Sequence, residues 1–115
     1  MNKRAKGTSA EERAAKYLAG KGYVILERNL TLSGGEADIV AKSRDNVLVF
    51  AEVKARDTLC YGSPAEAVTY AKRLRYKKIA EQYTASKRLA HLDVRFDVIE
   101  IFGEEINHIE NAFDF

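Results

Sequence analysis

The chain reads as an α/β protein of the α+β kind, with an α-β-β-β-α-β core, a central mixed sheet flanked by helices, and an extra C-terminal strand. Three observations predict this. Two segments, one opening near Ser9 and one opening at Ser63, carry helix-start signatures. Between them lie three stretches rich in Val, Ile and Phe, bounded by Gly and polar turn residues. A further alternating strand follows the second helix. Strand, helix and strand then form a βαβ unit, whose two strands run parallel with a right-handed crossover.

Taken in order, residues 1–7 are basic and are expected to form a flexible arm. Ser9 with Glu12 three residues on makes a capping box, so the first helix is expected to open there. Ala14, Tyr17 and Leu18 give it an apolar stripe, and Gly20 or Gly22 ends it. Glu11 falls on that stripe; Glu12 does not. Tyr23 to Asn29 reads as the first strand and runs toward the Gly34-Gly35 turn. The second and third strands are read in the stretches Gly34 to Ala41, bounded by the Gly-Gly turn, and Val47 to Lys54. Ala55 to Gly62 is polar and irregular. Ser63-Pro64-Ala65-Glu66 then starts a helix reaching about Ser86, with Val68, Ala71 and Leu74 expected inside early on and Tyr76, Ile79, Ala80 and Tyr83 later. Val94 to Phe102 is the fourth strand, and Ile106 to Ile109 a shorter fifth.

The second and third strands hold the residues with chemical potential. Side chains alternate faces along a strand, so Glu36 and Asp38 share one face, and so do Glu52 and Lys54. Three carboxylates and an ammonium among apolar residues are costly unless they pair or hold a cation. If Arg44 to Asn46 form a three-residue loop, Ser43 pairs with Val47, Asp38 lies opposite Glu52, and Glu36 lies opposite Lys54. Directly opposed residues are about 4.5–5.5 Å apart at Cβ, near enough for two carboxylates to share one divalent ion. A two-residue loop puts Glu52 on the other face from Asp38. A half-exposed strand with a charged outer face, Glu36 paired to Lys54, accounts for the same residues. Spacing and charge do not separate the two readings.

With 115 residues, the chain is expected to be one domain, 1–115. The single cysteine, Cys60, excludes an internal disulfide and a thiolate zinc site, and suits a reducing compartment. His91 and His108 are expected at the surface or in packing. No run approaches a membrane span or a signal core, so a cytoplasmic protein with no membrane partner is expected. The net charge of +2 conceals polarity. Residues 1–22 carry six basic and two acidic groups and residues 66–88 seven and two, whereas 89–115 carry one and seven. Basic segments flanking a carboxylate-bearing hairpin suit a polyanion, and two helices with solvated Lys/Arg faces give the same count.

The arrangement resembles the restriction-endonuclease-like, or PD-(D/E)xK, nuclease fold, whose core is α-β-β-β-α-β with an acid on the second strand and (D/E)xK on the third. Here the third-strand motif is Glu52-Val53-Lys54. More closely, nearly the whole chain is similar to the YraN family of small bacterial proteins described as predicted endonucleases. The matching segments include Glu27-Arg28-Asn29, Gly34-Gly35-Glu36-Ala37-Asp38-Ile39-Val40-Ala41, Val49-Phe50-Ala51-Glu52-Val53-Lys54-Ala55-Arg56, Tyr61-Gly62, Glu66-Ala67-Val68, Lys72, Arg95-Phe96-Asp97-Val98 and His108-Ile109-Glu110-Asn111-Ala112-Phe113. One departure is Ala10, where the family usually has Gly.

The resemblance implies a metal-dependent endonuclease acting on DNA, including branched or structured DNA, with RNA left open. It makes Asp38 and Glu52 metal-binding acids, Glu36 and Glu11 supporting acids at the metal, and Lys54 the residue that activates water. Lys72 matches a family lysine; with Arg73, Arg75 and Arg56 it forms the expected nucleic-acid-binding set. Mg²⁺, or Mn²⁺ in its place, is the implied cofactor, because it takes carboxylates together with substrate phosphate and waters. Cutting both strands of a duplex calls for two sites and hence a homodimer. A non-catalytic nucleic-acid-binding adaptor on the same fold is the alternative. A module whose acidic C-terminal segment recruits a basic protein is a third reading.

Overall fold

The computed structural model describes residues 3–56 and 69–113, with side chains from residue 9 onward. The elements are α1 (Lys3–Gly20), β1 (Val24–Leu32), β2 (Gly35–Lys42), β3 (Val47–Arg56), α2 (Tyr70–Ser86), β4 (Asp93–Phe102) and β5 (Glu105–Phe113). The five strands form one sheet in the order β1-β2-β3-β4-β5. β3 and β4 are parallel and the other neighbours antiparallel. This is the expected α-β-β-β-α-β mixed sheet, and its C-terminal strand is longer than the pattern suggested.

Strand parity divides the sheet into two apolar faces. Leu48 and Phe50 of β3 join Val40, Phe96 and Val98 under Tyr76, Ile79, Ala80 and Tyr83 of α2. The intervening Ala51 joins Ile39, Ala41, Ile99 and Ile101 beneath Ala10, Ala14, Ala15 and Leu18 of α1. Helices on both faces explain why the central strands are apolar on both sides. The same parity sends Glu52 and Lys54 to the face of Leu48 and Phe50, toward α2.

The β2–β3 hairpin has the odd, three-residue loop expected. Ser43 N–H donates to Val47 O at 2.9 Å, and Asn46 N–H to Ser43 O at 3.0 Å. Ser43 Oγ accepts from Val47 N–H at 3.0 Å. Asn46 closes the loop with φ +63°, a left-handed conformation that Asn tolerates. The ladder then pairs Lys42 with Leu48, Val40 with Phe50 and Ile39 with Ala51, the expected register.

The helices differ from expectation in where they begin and in what they bury. α1 begins at Lys3, so the stretch 3–7 is helical rather than an arm, and Ser9 lies inside the helix. Lys, Arg and Ala all favour helix, and extending a formed helix needs no new nucleus. The Ser63-Pro64-Ala65-Glu66 start lies outside the described residues, as do Cys60 and Val68. α2 as described begins at Tyr70, with Thr69 as N-cap: its side chain accepts from Lys72 N–H at 3.1 Å. Ala71 and Leu74, expected inside, are exposed. Leu74 precedes Tyr76 by two residues, about 200° around the helix, so the two cannot face the same core.

The β1–β2 turn is clamped to α2. Gln82 Nε2 donates to Ser33 Oγ at 2.5 Å, and Gly34 N–H donates to Gln82 Oε1 at 3.3 Å. A Cβ on Gly34 would lie 2.8 Å from Lys78 Cβ, so turn and helix touch because Gly34 has no side chain. Gly34→Ala is expected to destabilise by about 1–3 kcal/mol, the usual range for overpacking, as read from urea melts. An unchanged midpoint would show that the turn does not bear on α2.

Candidate functional site

The β2–β3 ladder stops at Ile39↔Ala51. One step on, where Asp38 would pair with Glu52, the strands separate, and Asp38 Oδ2 accepts from Val53 N–H at 2.8 Å. β3 meanwhile stays paired with β4 as far as Arg56↔Phe102. The separation opens a cleft of about 280 Å³ toward α2, lined by Gly35, Glu36, Asp38, Glu52, Lys72, Arg75 and Tyr76. Three of the four expected acids line it.

Glu52 is 8% exposed. Lys72 Nζ meets its Oε1 in a close ion pair, and Lys54 Nζ stands 3.8 Å from its Oε2, too far for a hydrogen bond. Glu52 Oε2 is thus buried and receives no hydrogen bond, and the same holds for Glu11 Oε1 on α1. The Asp38 carboxyl stands raised to about 6: burial raises it most, the Val53 N–H bond opposes this, the charges of Glu11 and Glu52 add to the rise, and Lys72 offsets part of it. Glu11 therefore bears on the site from the opposite helix. Glu36 is exposed at the rim, and the end of the ladder leaves it without the cross-strand Lys54 partner expected; Lys54 turns to Glu52 instead.

Among the described residues no three of His, Cys, Asp and Glu are grouped as a metal site. The donors present are the Asp38–Glu52 pair, with one Glu52 oxygen unpartnered. That pair suits a cation that needs one or two carboxylates and completes its shell with water and phosphate.

The expected nucleic-acid-binding residues divide. Lys72 and Arg75 line the cleft. Arg73 turns its guanidinium over the Phe113 ring, 5.9 Å from the centroid. Arg56 donates to Glu100 Oε2 at 3.2 Å. A run of cations on a helix does not reveal which of them face inward.

Sequence reasoning missed two features. Tyr76 lies at the cleft wall with 2% exposure. Burial, and then the charges of Glu52, Asp38 and Glu36, push its hydroxyl well above the ordinary range, so it remains a neutral phenol. The signal was its place four residues after Lys72. The second is Asp97, on the α1 side, where it accepts from Arg95, His108 and Asn111. Arg95 and Asp97 share the inward parity of Ile99, and that pattern could have been read. His108 is a packing residue, as expected, and His91 is exposed.

A model of the uncharacterised protein family UPF0102 matches residues 10–101. The chain belongs to this family. UPF0102 is the YraN family that the sequence resembles. The chain is 42% identical over 119 residues to a UPF0102 protein of Caldicellulosiruptor saccharolyticus, covering 98% of this chain and all of the other. It is 43% identical over 115 residues to one from Clostridioides difficile, with the same coverage, and 47% identical over 113 residues to one from Trichlorobacter lovleyi, covering 94% and 89%. Among solved structures, SfsA of Pyrococcus furiosus in complex with Ca²⁺ aligns over 99% of this chain and 66% of that one, with 15% identity and a TM-score of 0.37. In this UPF0102 protein no helix among the described residues is long and apolar enough to cross a membrane.

Proposed function

We propose that the chain is a metal-dependent endonuclease that hydrolyses phosphodiester bonds of DNA. The observation that carries this reading is the convergence in one cleft of Asp38 and Glu52, from strands that separate at that point, with Lys54, Lys72 and Arg75 around them. An acidic cleft rimmed by cations suits a substrate that is itself an anion and arrives with a divalent ion.

Asp38 and Glu52 would hold Mg²⁺ or Mn²⁺, which supplies charge neutralisation at the phosphate and a more acidic bound water. Lys54, beside Glu52, would donate to the attacking water and fix its direction. Lys72 and Arg75 would hold non-bridging phosphate oxygens, and the neutral Tyr76 can only donate a hydrogen bond to an anion placed there. Glu11 and Glu36 add negative potential that strengthens attraction for a divalent ion.

The test is a panel of labelled single-stranded, duplex and four-way-junction DNAs, with matched RNAs, incubated with Mg²⁺, Mn²⁺ or EDTA. Cutting is expected with either metal, none with EDTA, and none with Asp38→Ala in any lane. Cutting that survives Asp38→Ala in a clean preparation overturns the assignment.

One observation favours a second reading, a nucleic-acid-binding protein that does not cleave. Lys72 and Lys54 already flank Glu52, so its charge is compensated without a metal. That reading expects strongly salt-dependent binding that is indifferent to chelator, with every lane of the panel uncut.

A further inference from the structure

α2 exposes two large apolar side chains that no core cluster among the described residues takes in. Tyr70 is 75% exposed and Leu74 39%. They lie one helical turn apart and so share a face, away from the core stripe of Tyr76 and Ile79. Leu74 also lines a groove of about 400 Å³ with Arg75, Lys77, Lys78, Glu81 and the Ser33-Gly34 turn, three cations to one acid. Arg75 belongs to this groove and to the acidic cleft alike. The apolar pair therefore adjoins the cleft through a cation.

An exposed aromatic ring on a cationic face fits a partner that is both polyanionic and aromatic. A duplex keeps its bases stacked inside and offers phosphates, for which Lys and Arg suffice. An unpaired base offers a free π-face, and stacking on an aromatic side chain is worth about 1–3 kcal/mol per base. Tyr70 precedes Arg75 by five residues, about 7.5 Å along the helix at ~1.5 Å per residue. Arg75 also lies about 140° around the helix from Tyr70, with Leu74 between them, so a strand with one base on Tyr70 passes Leu74 to bring a phosphate to Arg75 at the mouth of the cleft.

We propose that Tyr70, backed by Leu74, is a stacking platform for an unpaired base, and that the cleft takes single-stranded or locally unpaired nucleic acid. This rests on the nucleic-acid reading of the cleft given above and names its substrate class.

The experiment is run in EDTA, so that cleavage plays no part. A labelled single-stranded oligonucleotide and the blunt duplex of the same sequence are titrated with full-length protein and followed by fluorescence anisotropy. Tyr70→Ala is expected to weaken single-strand binding about 10-fold with duplex binding unchanged, and Tyr70→Trp to restore it. The chain has no tryptophan, so Tyr70→Trp also introduces a unique fluorophore, expected to be quenched by the single strand and not by the duplex. Equal single-strand affinity for wild type and Tyr70→Ala, equal loss on both DNAs, an unquenched Trp, or no single-strand binding by wild type would each overturn the platform. The nuclease reading fails separately: every substrate stays uncut with Mg²⁺ and Mn²⁺ while the Tyr70 effects on binding stand.

Discussion

Asp38→Asn is expected to melt above the wild type at pH 8 and to lose cleavage. Burial, with help from Glu11 and Glu52, raises the Asp38 carboxyl from its ordinary 3.8 to about 6. A carboxyl raised in the folded state favours folding below its unfolded value of 3.8, and that contribution is lost as pH rises through about 6. At pH 8 the ionised group thus costs on the order of 2–3 kcal/mol relative to an unperturbed one. Asparagine carries no charge yet keeps an oxygen for Val53 N–H. The gain corresponds to a midpoint rise of roughly 5–10 °C for a chain of this size. At pH 4, where wild-type Asp38 is already protonated, the two proteins are expected to melt together. Mg²⁺ is expected to raise the wild-type midpoint at pH 8, by binding the folded state alone, and to leave the variant unmoved. On the proposed nuclease reading, loss of a charge assigned to the metal should reduce cleavage by roughly 100-fold or more, since metal stabilisation is worth several kcal/mol. Thermal melts at both pH values, with and without Mg²⁺, check this. A variant less stable than wild type at pH 8 would mean that the Asp38 charge is a structural asset.

The hairpin was legible in the sequence because its determinants are local. Ser43 and Asn46 close an odd loop, and parity then carries Asp38, Glu52 and Lys54 to one face without further information. What was not legible is where the strands part. The β1–β2 turn is held to α2 by Gln82, a residue 48 positions from Gly34, and no local pattern encodes such a contact. Register alone sets Lys54 opposite Glu36 across the ladder, whereas the structure puts Lys54 Nζ 3.8 Å from Glu52 Oε2. The start of α1 departs from its capping signature for a different reason. Ser9 and Glu12 form a legitimate capping pair, yet helix-favouring residues before them let α1 begin earlier; on α2, Thr69 caps with no Glu at the third position to advertise it. Arg73 and Arg56, read as ligands for a polyanion, have partners supplied by β5 and β4, which only the assembled sheet brings near.

Asp97→Ala is expected to be the most damaging single change on the opposite face of the sheet. Asp97 is 1% exposed. Its Oδ1 accepts from Arg95 Nε at 2.9 Å and from Asn111 N–H at 3.0 Å. Its Oδ2 accepts from Arg95 Nη2 at 2.8 Å and His108 Nε2 at 2.7 Å. Arg95 Nη2 in turn donates to the Tyr23 hydroxyl at 2.6 Å, so one carboxylate links β4, β5 and the segment entering β1. Removing it leaves a guanidinium, an imidazole and a backbone N–H without their acceptor. Breaking a buried pair in this way costs about 3–5 kcal/mol, a large share of the ~5–15 kcal/mol typical of a domain. Burial pushes the Asp97 carboxyl up, but bonds from His108, Arg95 and Asn111 and the Arg95 charge outweigh it and leave it below the ordinary value. A depressed carboxyl favours folding above its unfolded value, about 3.8, and that contribution is lost as pH falls through the lower folded value. Wild type should therefore shed stability below about pH 4, and Asp97→Asn, with no charge to neutralise, should lack that acid step. Urea melts at pH 7 and pH 3 measure both effects, and a loss below about 1 kcal/mol for Asp97→Ala would show that the network is not a tie between strands. Because Asp97 faces α1, the nucleic-acid binding proposed for the cleft under α2 should be unchanged by the variant at temperatures where it stays folded. The two aspartates thus predict opposite signs at neutral pH: neutralising Asp38 relieves a charge that the fold resists, and neutralising Asp97 removes one on which the fold depends.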